Sequence, residues 1–358
     1  MLFNMTHHND KYQKTFFSDF TKQMTDNLCS KGVITPHSLC RHINCHKILP
    51  FNNNVDGPLR KDLHIIKKLG SGGFGTVYLV CWKSKKFALK ILHRKPENLV
   101  LKCLKAEQRL LHFEHPNIVR TLMVHSFWTG YENGLILMEY VGERNLQCLI
   151  DDSKEVLCYN RRVKFGLQVS KAIEFIHSKH VVHLDLKPTN IIITDNDVCK
   201  ICDFGCCQCV KWPVVETTSL SGTAAYIAPE LLKGMQPTKK CDVYSLGIIL
   251  WQMLSGKVPF EYENPHVIIY KVVTDNLRPQ EIDSLKTTKD LAYVTLYKQC
   301  WDREPQDRPT FEGLVETFNT WVNKTFLNYK IFHTNSLGFN LSPSNTETHE
   351  ISKYKAKS

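Results

Sequence analysis

The chain has 358 residues, 42% of them hydrophobic, a formal net charge of +11 and 14 cysteines. That length and apolar content suffice to bury a substantial core, while no run approaches the ~18 consecutive apolar residues of a spanning helix and the start lacks an apolar signal core. A cytoplasmic protein with no membrane span is therefore expected, its cysteines reduced rather than built into a disulfide framework, and its scattered lysines read as a solvated basic surface rather than a nucleic-acid site.

Residues 1 to about 58 are rich in Asn, His and Lys without sustained period, and are expected to form a mobile tail. Within it Cys40, His42, Cys45 and His46 are zinc-type ligands, but Cys-x-x-Cys spacing is absent, so a His/Cys-rich tail is the better reading. The alternation of Leu63–Leu69 leads into Gly70-Ser71-Gly72-Gly73-Phe74-Gly75-Thr76-Val77. Glycines allow backbone to approach phosphates. A dinucleotide-binding fold would place a helix next, whereas Thr76–Trp82 is β-branched and aromatic, so a strand–turn–strand hairpin is predicted.

Phe87-Ala88-Leu89-Lys90-Ile91 follows as a strand with Ala88 and Lys90 on one face. After Asn98 a helical period puts Val100, Cys103, Leu104, Leu110 and Leu111 on one stripe, with Glu107 inside it. A carboxylate there is either a stripe-edge residue or has a partner. Leu135–Met138 reads as a buried strand that Val141-Gly142 breaks.

His183-Leu184-Asp185-Leu186-Lys187-Pro188-Thr189-Asn190, followed by Asp203-Phe204-Gly205, carries the polar groups that phosphoryl transfer to a hydroxyl needs. Asp185 is a candidate acceptor for the proton of a Ser or Thr hydroxyl, Lys187 a candidate to neutralise the transferred group, and Asn190 with Asp203 candidate hard-oxygen ligands for Mg²⁺. Cys199, Cys202, Cys206, Cys207 and Cys209 surround Asp203, and strand packing explains the first two better than a metal does. Downstream, Gly222-Thr223 and Ala228-Pro229-Glu230 close the segment begun at Asp203. Asp242 opens an apolar helix, and Arg308 is a candidate ion-pair partner for Glu230. Residues 334–358 are again patternless, and a mobile C-terminal tail is expected over 328–358.

Together, over about residues 60 to 325, these motifs resemble the eukaryotic protein-kinase family. The resemblance implies an α+β, two-lobed protein-kinase fold: a small, mainly antiparallel β N-lobe with one key helix at residues 59–141, and a larger, mainly helical C-lobe at 142–327. It implies ATP and Mg²⁺ as cofactors, a Lys90–Glu107 ion pair orienting Lys90 on the phosphates, and Val77 and Ala88 above the adenine with Ile192 beneath. It also implies Met138 as gatekeeper, Glu139 to Val141 as a hinge whose backbone meets the adenine edge, and Cys202 bordering the nucleotide, where a site-directed thiol reagent is expected to label it. Lys187 and Thr223 occupy positions typical of Ser/Thr rather than Tyr kinases.

The blocks His183–Pro188, Asp197–Cys206, Ala228–Gly234 and Leu250–Met253 resemble the Mos-like branch, which implies phosphorylation of a MAP kinase kinase in oocyte meiosis. A Raf-like or mixed-lineage kinase, suggested by Cys300-Trp301 and Arg308-Pro309, and a pseudokinase scaffold are the alternatives. The intact polar set argues against the scaffold. Oligomeric state is not legible, and a monomer is the default. The Pro-Ser opening of vertebrate members is missing from Met1-Leu2-Phe3.

Leu184 stands where most of the family has arginine, so a phosphate on Thr217, Thr218, Ser219 or Ser221 would find no cation in the catalytic loop, unless Lys211 or another basic residue supplies it. Replacing those four residues together by Ala, or treating the wild type with phosphatase, should leave specific activity near that of the untreated wild type. A hundredfold loss in both would show that loop phosphorylation is required.

Overall fold

The computed structural model describes residues 64–92, 97–128, 132–155, 157–211, 223–282 and 287–336. Five antiparallel strands, β1 (His64–Ser71), β2 (Gly75–Trp82), β3 (Lys85–Leu92), β4 (Thr121–Trp128) and β5 (Glu132–Glu139), form one sheet in the order β1-β2-β3-β5-β4. The hairpin expected around the glycines is the β1–β2 pair, with Gly70 opposite Val77 and Ser71 opposite Thr76.

Period-two alternation gives this sheet two apolar faces. Val80, Trp82, Phe87, Leu89, Leu135 and Leu137 pack on one. On the other, Leu92, Ile136 and Met138 meet Val100, Cys103 and Leu104 of helix α1 (Glu97–Gln108). The helix ends sooner than its apolar stripe suggests: Leu110 is buried, but it and Leu111 lie in turns beyond Gln108.

The second lobe is built from α2 (Leu146–Asp151), α3 (Tyr159–Ser178), α4 (Pro229–Leu232), α5 (Lys239–Ser255), α6 (Pro265–Thr274), α7 (Thr288–Cys300) and α8 (Phe311–Ser336). Two small two-stranded sheets, β6 (Val181–Val182) with β9 (Gln208–Cys209) and the hairpin of β7 (Ile191–Ile193) with β8 (Cys199–Ile201), lie on it. The antiparallel sheet with a helical lobe is the two-lobed arrangement expected. Helix α8 runs past residue 327, and the boundary at residue 58 lies outside the described residues.

Helix α5 is the axis of this lobe. Every residue from Cys241 to Met253 is buried, which is the pattern of a helix surrounded by protein. Thr238 caps its first turn through Lys240 N. A Cβ on Gly247 would come within 2.9 Å of Cys300 Cβ, so only glycine lets α7 approach this closely.

Arg308, with no exposed side-chain surface, grips Glu230 with two parallel hydrogen bonds of 2.7 and 2.9 Å, as the sequence suggested. Removing one partner strands the other charge. Arg308→Met should therefore lower the unfolding free energy by about 3–5 kcal/mol, and adding Glu230→Gln should recover part of it, as read by denaturant titration. Equal stability of Arg308→Met and wild type would refute the assignment.

Candidate active site

The sheet register brings the site together from distant stretches of chain. Val77 lies opposite Lys90, and Ala88 opposite Met138. Ala88 and Lys90 thus share the face that looks toward α1, as the alternation predicted. Val77, Ala88, Val141, Ile192 and Cys202 all pack against the cluster that contains Met138 and Cys103. The residues expected around an adenine therefore form one apolar wall, Ile192 coming from β7 and Val141 from the connection after β5.

The glycines of the β1–β2 turn divide into two kinds. A Cβ on Gly70, Gly72 or Gly73 would meet nothing within 4 Å, so these leave bare backbone facing open space. A Cβ on Gly75 would sit 2.4 Å from Ile91 O, so this glycine is required by the packing of β2 on β3. Gly72 N donates to Gly75 O at 2.9 Å, and the Ser71 and Thr76 hydroxyls are 2.9 Å apart, which closes the turn. Phe74 places its ring 5.9 Å from Lys90 Nζ.

Lys90 bonds a different carboxylate from the one expected. It is buried, and its ammonium donates to Asp203 Oδ1 at 2.6 Å rather than to Glu107. Glu107, 1% exposed, instead accepts from Phe204 N at 3.1 Å and from the Thr121 hydroxyl at 3.4 Å. The reason is competition: Asp203 lies within reach of the same ammonium, and the Phe204 amide needs a buried acceptor. Burial alone would lower the Lys90 pKa, but the Asp203 and Glu107 carboxylates hold it raised. Burial pushes the Glu107 carboxyl up to about 7 against the pull of Lys90. For Asp203 the burial penalty is overcome by Lys90, which keeps it below the usual carboxylate range.

Asp185 is buried, with Lys187 Nζ at 3.0 and 2.9 Å from its two oxygens. Asn190 Nδ2 donates both to Asp185 O at 2.8 Å and to Asp185 Oδ2 at 3.0 Å. Burial raises the Asp185 pKa, with Lys187 opposing. His183 accepts from Asp185 N at 3.2 Å through Nδ1, and its Nε2 meets Cys202 O at 3.3 Å, so the ring links the Asp185 loop to the stretch before Asp203.

Mg²⁺ fits the oxygens left over. The amide nitrogen of Asn190 is committed to Asp185, which leaves its Oδ1, and Lys90 engages Asp203 Oδ1, which leaves Oδ2. Among the described residues no group of three His, Cys, Asp or Glu stands in metal-binding geometry. Two hard protein oxygens completed by phosphate and water suit Mg²⁺, which keeps much of its own shell. The cysteines around Asp203 are packing residues: Cys199 and Cys207 are buried, and Cys207 Sγ donates to Ala106 O. The Cys40–His46 tract lies outside the described residues.

Cys202 lies on the apolar wall as expected, but its thiol is pushed far up by burial and then by Asp203, which Lys90 does not outweigh. Labelling at neutral pH should be slow. Leu184 packs partly buried on the C-lobe core and has φ 64°, a left-handed conformation for a β-carbon-bearing residue. Thr217, Thr218, Ser219, Ser221 and Gly222 lie outside the described residues, and Thr223 is exposed at their edge.

Sequence reasoning took Asp242 only as the opening of a helix. The structure makes it the clamp of the Asp185 loop. Fully buried, its Oδ2 accepts from His183 N at 2.9 Å and meets His177 Nε2 at 2.8 Å, while Oδ1 accepts from Leu184 N at 2.9 Å. Burial would raise its pKa, but His177 and His183 hold it lowered. Its position at the start of the helix's long buried run is the sequence signal for that role. Sequence reasoning also took Glu139 for its backbone alone, whereas its carboxylate accepts from Lys200 Nζ at 2.7 Å and Arg120 N at 3.0 Å, anchoring the end of β5 to β8.

A family model for the protein kinase domain matches residues 63–319. The serine/threonine-protein kinase mos of Patiria pectinifera is 39% identical over 257 residues, which is 70% of this chain and 72% of that protein. The mos kinase of Xenopus laevis is 34% identical, covering 70% of this chain and 74% of its own length. The proto-oncogene serine/threonine-protein kinase mos of Mus musculus is also 34% identical, covering 70% and 78%.

Because the folded state keeps on Glu107 a proton that the unfolded chain releases, stability should fall as pH rises from the usual carboxylate range through about 7. The dependence is at most one proton, about 1.4 kcal/mol per pH unit. Glu107→Gln should remove it, so the Tm advantage of the variant should grow between about pH 5 and about pH 8. A pH-independent Tm difference would show that Glu107 does not carry the titration.

Proposed function

The chain belongs to the protein-kinase family as a Mos-type serine/threonine kinase, and on that ground we propose that it transfers the γ-phosphoryl group of MgATP to Ser or Thr of a MAP kinase kinase, in the cytoplasm, during oocyte meiosis. The observation that carries the catalytic part is one hydrogen-bonded set. Asp185, Lys187 and Asn190 are joined side chain to side chain, and His183 ties this loop to the stretch that bears Asp203 and its partner Lys90.

In this reading Asp185 accepts the proton of the incoming hydroxyl, its burial raising its basicity against the opposing charge of Lys187. Lys187 also meets charge on the transferred group. Lys90 exchanges Asp203 for phosphate oxygens when nucleotide enters, which frees the Asp203 carboxylate. Asn190 and Asp203 would hold Mg²⁺, which when bound neutralises phosphate charge. The bare backbone at Gly70, Ser71, Gly72 and Gly73, with Phe74, covers the phosphates. Val77, Ala88, Met138, Ile192 and Cys202 enclose the adenine, whose edge meets the backbone of Glu139 to Val141. Glu107 acts at one remove, fixing Phe204 next to Asp203.

The choice of Ser or Thr is supported by the names of the related kinases and by Lys187 and Thr223, and the choice of a MAP kinase kinase rests on the resemblance to the Mos-like branch. The relatives named above are all mos kinases, which favours that branch over a Raf-like or mixed-lineage one.

Asp185→Asn should keep fold and MgATP affinity and lower phosphoryl transfer by something like 10²–10⁴-fold, and Lys90→Met should also inactivate. Purified protein assayed with MgATP and a panel of inactive MAP kinase kinases tests the whole reading. Wild-type turnover in either variant overturns the catalytic roles, and transfer to generic proteins but to no MAP kinase kinase overturns the pathway.

A further inference from the structure

Helix α1 meets the stretch after Asp203 through three thiols. Cys207 N donates to Phe204 O at 3.0 Å, so Gly205 and Cys206 are the middle residues of a tight turn. That turn lies directly on α1, where a Cβ on Gly205 would come within 2.7 Å of Cys103 Sγ. One helical turn further along, Ala106 O accepts from Cys207 Sγ at 3.6 Å. The Cys103 and Cys207 thiols have raised pKa values, chiefly through burial, and Cys206 contributes to both, as it must if the three sulfurs are close neighbours.

Packing accounts for two of the three. Cys103 and Cys207 are buried and serve as small apolar side chains. Cys206 is partly exposed at the middle of a turn, where Ser or Asn would suit the backbone as well. A thiol that solvent reaches, set beside one that it does not, is the arrangement in which a peroxide is recorded as a disulfide. Geometry selects the partner. A disulfide holds its Cα atoms about 4.4–6.8 Å apart, whereas adjacent Cα atoms are about 3.8 Å apart, which disfavours a bond between Cys206 and Cys207. The Cys207 thiol is moreover turned to Ala106 O, while Cys103 faces the turn one residue away from Cys206.

We propose that Cys206 and Cys103 form an oxidative modification site, at which hydrogen peroxide links α1 to the turn after Asp203 and switches phosphoryl transfer off. The Cys206 sulfur attacks one peroxide oxygen, the O–O bond breaks, and the other oxygen leaves as water with the thiol proton. The Cys103 sulfur then displaces the hydroxyl of the Cys206 sulfenic acid, which leaves as water with the Cys103 proton. Two thiols are thereby oxidised by two electrons, and one peroxide is reduced to two waters. For the link to close, Cys206 must take the place of Gly205 over Cys103. A Cβ on Gly205 would also lie 3.4 Å from Asp203 Oδ1, the atom that holds Lys90, so moving this turn disturbs the bond between Lys90 and Asp203. The loss of activity rests on the proposed kinase function, whereas the link itself does not.

The test treats the full chain with hydrogen peroxide, maps disulfides by mass spectrometry after alkylation and digestion, and reads activity with MgATP and myelin basic protein. A peptide linked through Cys103 and Cys206 is expected, with turnover lower by at least about tenfold and restored by dithiothreitol. Cys206→Ser should keep its basal rate within about twofold of wild type and resist peroxide. In Cys103→Ala, dimedone should instead trap Cys206 as the sulfenic acid. The absence of a link, a link between other cysteines, a peroxide-induced loss that persists in Cys206→Ser, or a complete link with unchanged turnover would each overturn the inference. If the link forms but the reduced protein transfers phosphate to no acceptor, the modification site is upheld and the proposed function fails.

Discussion

A single buried carboxylate determines the geometry of the candidate active site. Asp242, at the first turn of the central helix α5, accepts backbone hydrogen bonds from both His183 and Leu184 and bonds His177 as well. Leu184 is thereby held at φ 64°, a conformation that costs on the order of 1–3 kcal/mol for a residue with a Cβ. Charge-assisted bonds to two successive amides are strong enough to maintain it. The bend they impose brings both Lys187 and Asn190 onto Asp185. It also leaves the Leu184 side chain lying on the apolar core, where an arginine could not rest unpaired.

From that fixed loop the order of the cleft propagates outward through short bonded steps. His183 connects the loop to Cys202 O, Asn190 O accepts from Cys202 N at 2.9 Å, and the next residue is Asp203, which takes Lys90 from the other lobe. Behind the cleft, Ile201 N donates to Asn117 O and Val119 N to Ile201 O, so the stretch between α1 and β4 is stitched to β8. Lys200 extends the same seam to Glu139 at the end of β5. The wall for an adenine, the oxygens for a metal and the proton acceptor therefore belong to one connected scaffold rather than to three independent loops.

The charges inside this scaffold are unequal by design of their surroundings. Asp203 and Asp242 keep their pKa values down because each has a cation or a histidine against it, whereas Glu107 and Asp185 are raised because burial outweighs their partners. Four carboxylates of similar chemistry, three buried and Asp203 partly so, are thus separated into two with lowered and two with raised proton affinity. Arg308 and Glu230 form a further buried pair whose function is support, since its bonds reach only backbone and neighbouring side chains of the same lobe.

Local pattern determined much of this protein. The alternation of β1, β2 and β3, the glycine turn, the apolar run of α5 and the spacing of Asp185, Lys187, Asn190 and Asp203 are all properties of neighbouring residues, because strand and helix periods and loop reach act over a few positions. What the sequence could not decide was which partner wins when several lie within reach. Lys90 had two carboxylates available and the fold gave it Asp203, because Glu107 was needed by the Phe204 amide. Asp242 and Lys200 showed only their residue types, and their roles depend on contacts 58 to 65 and 61 residues away in the chain. Pairing over such distances is set by the packing of whole helices and sheets, since a buried polar group bonds to whatever donor or acceptor that packing delivers.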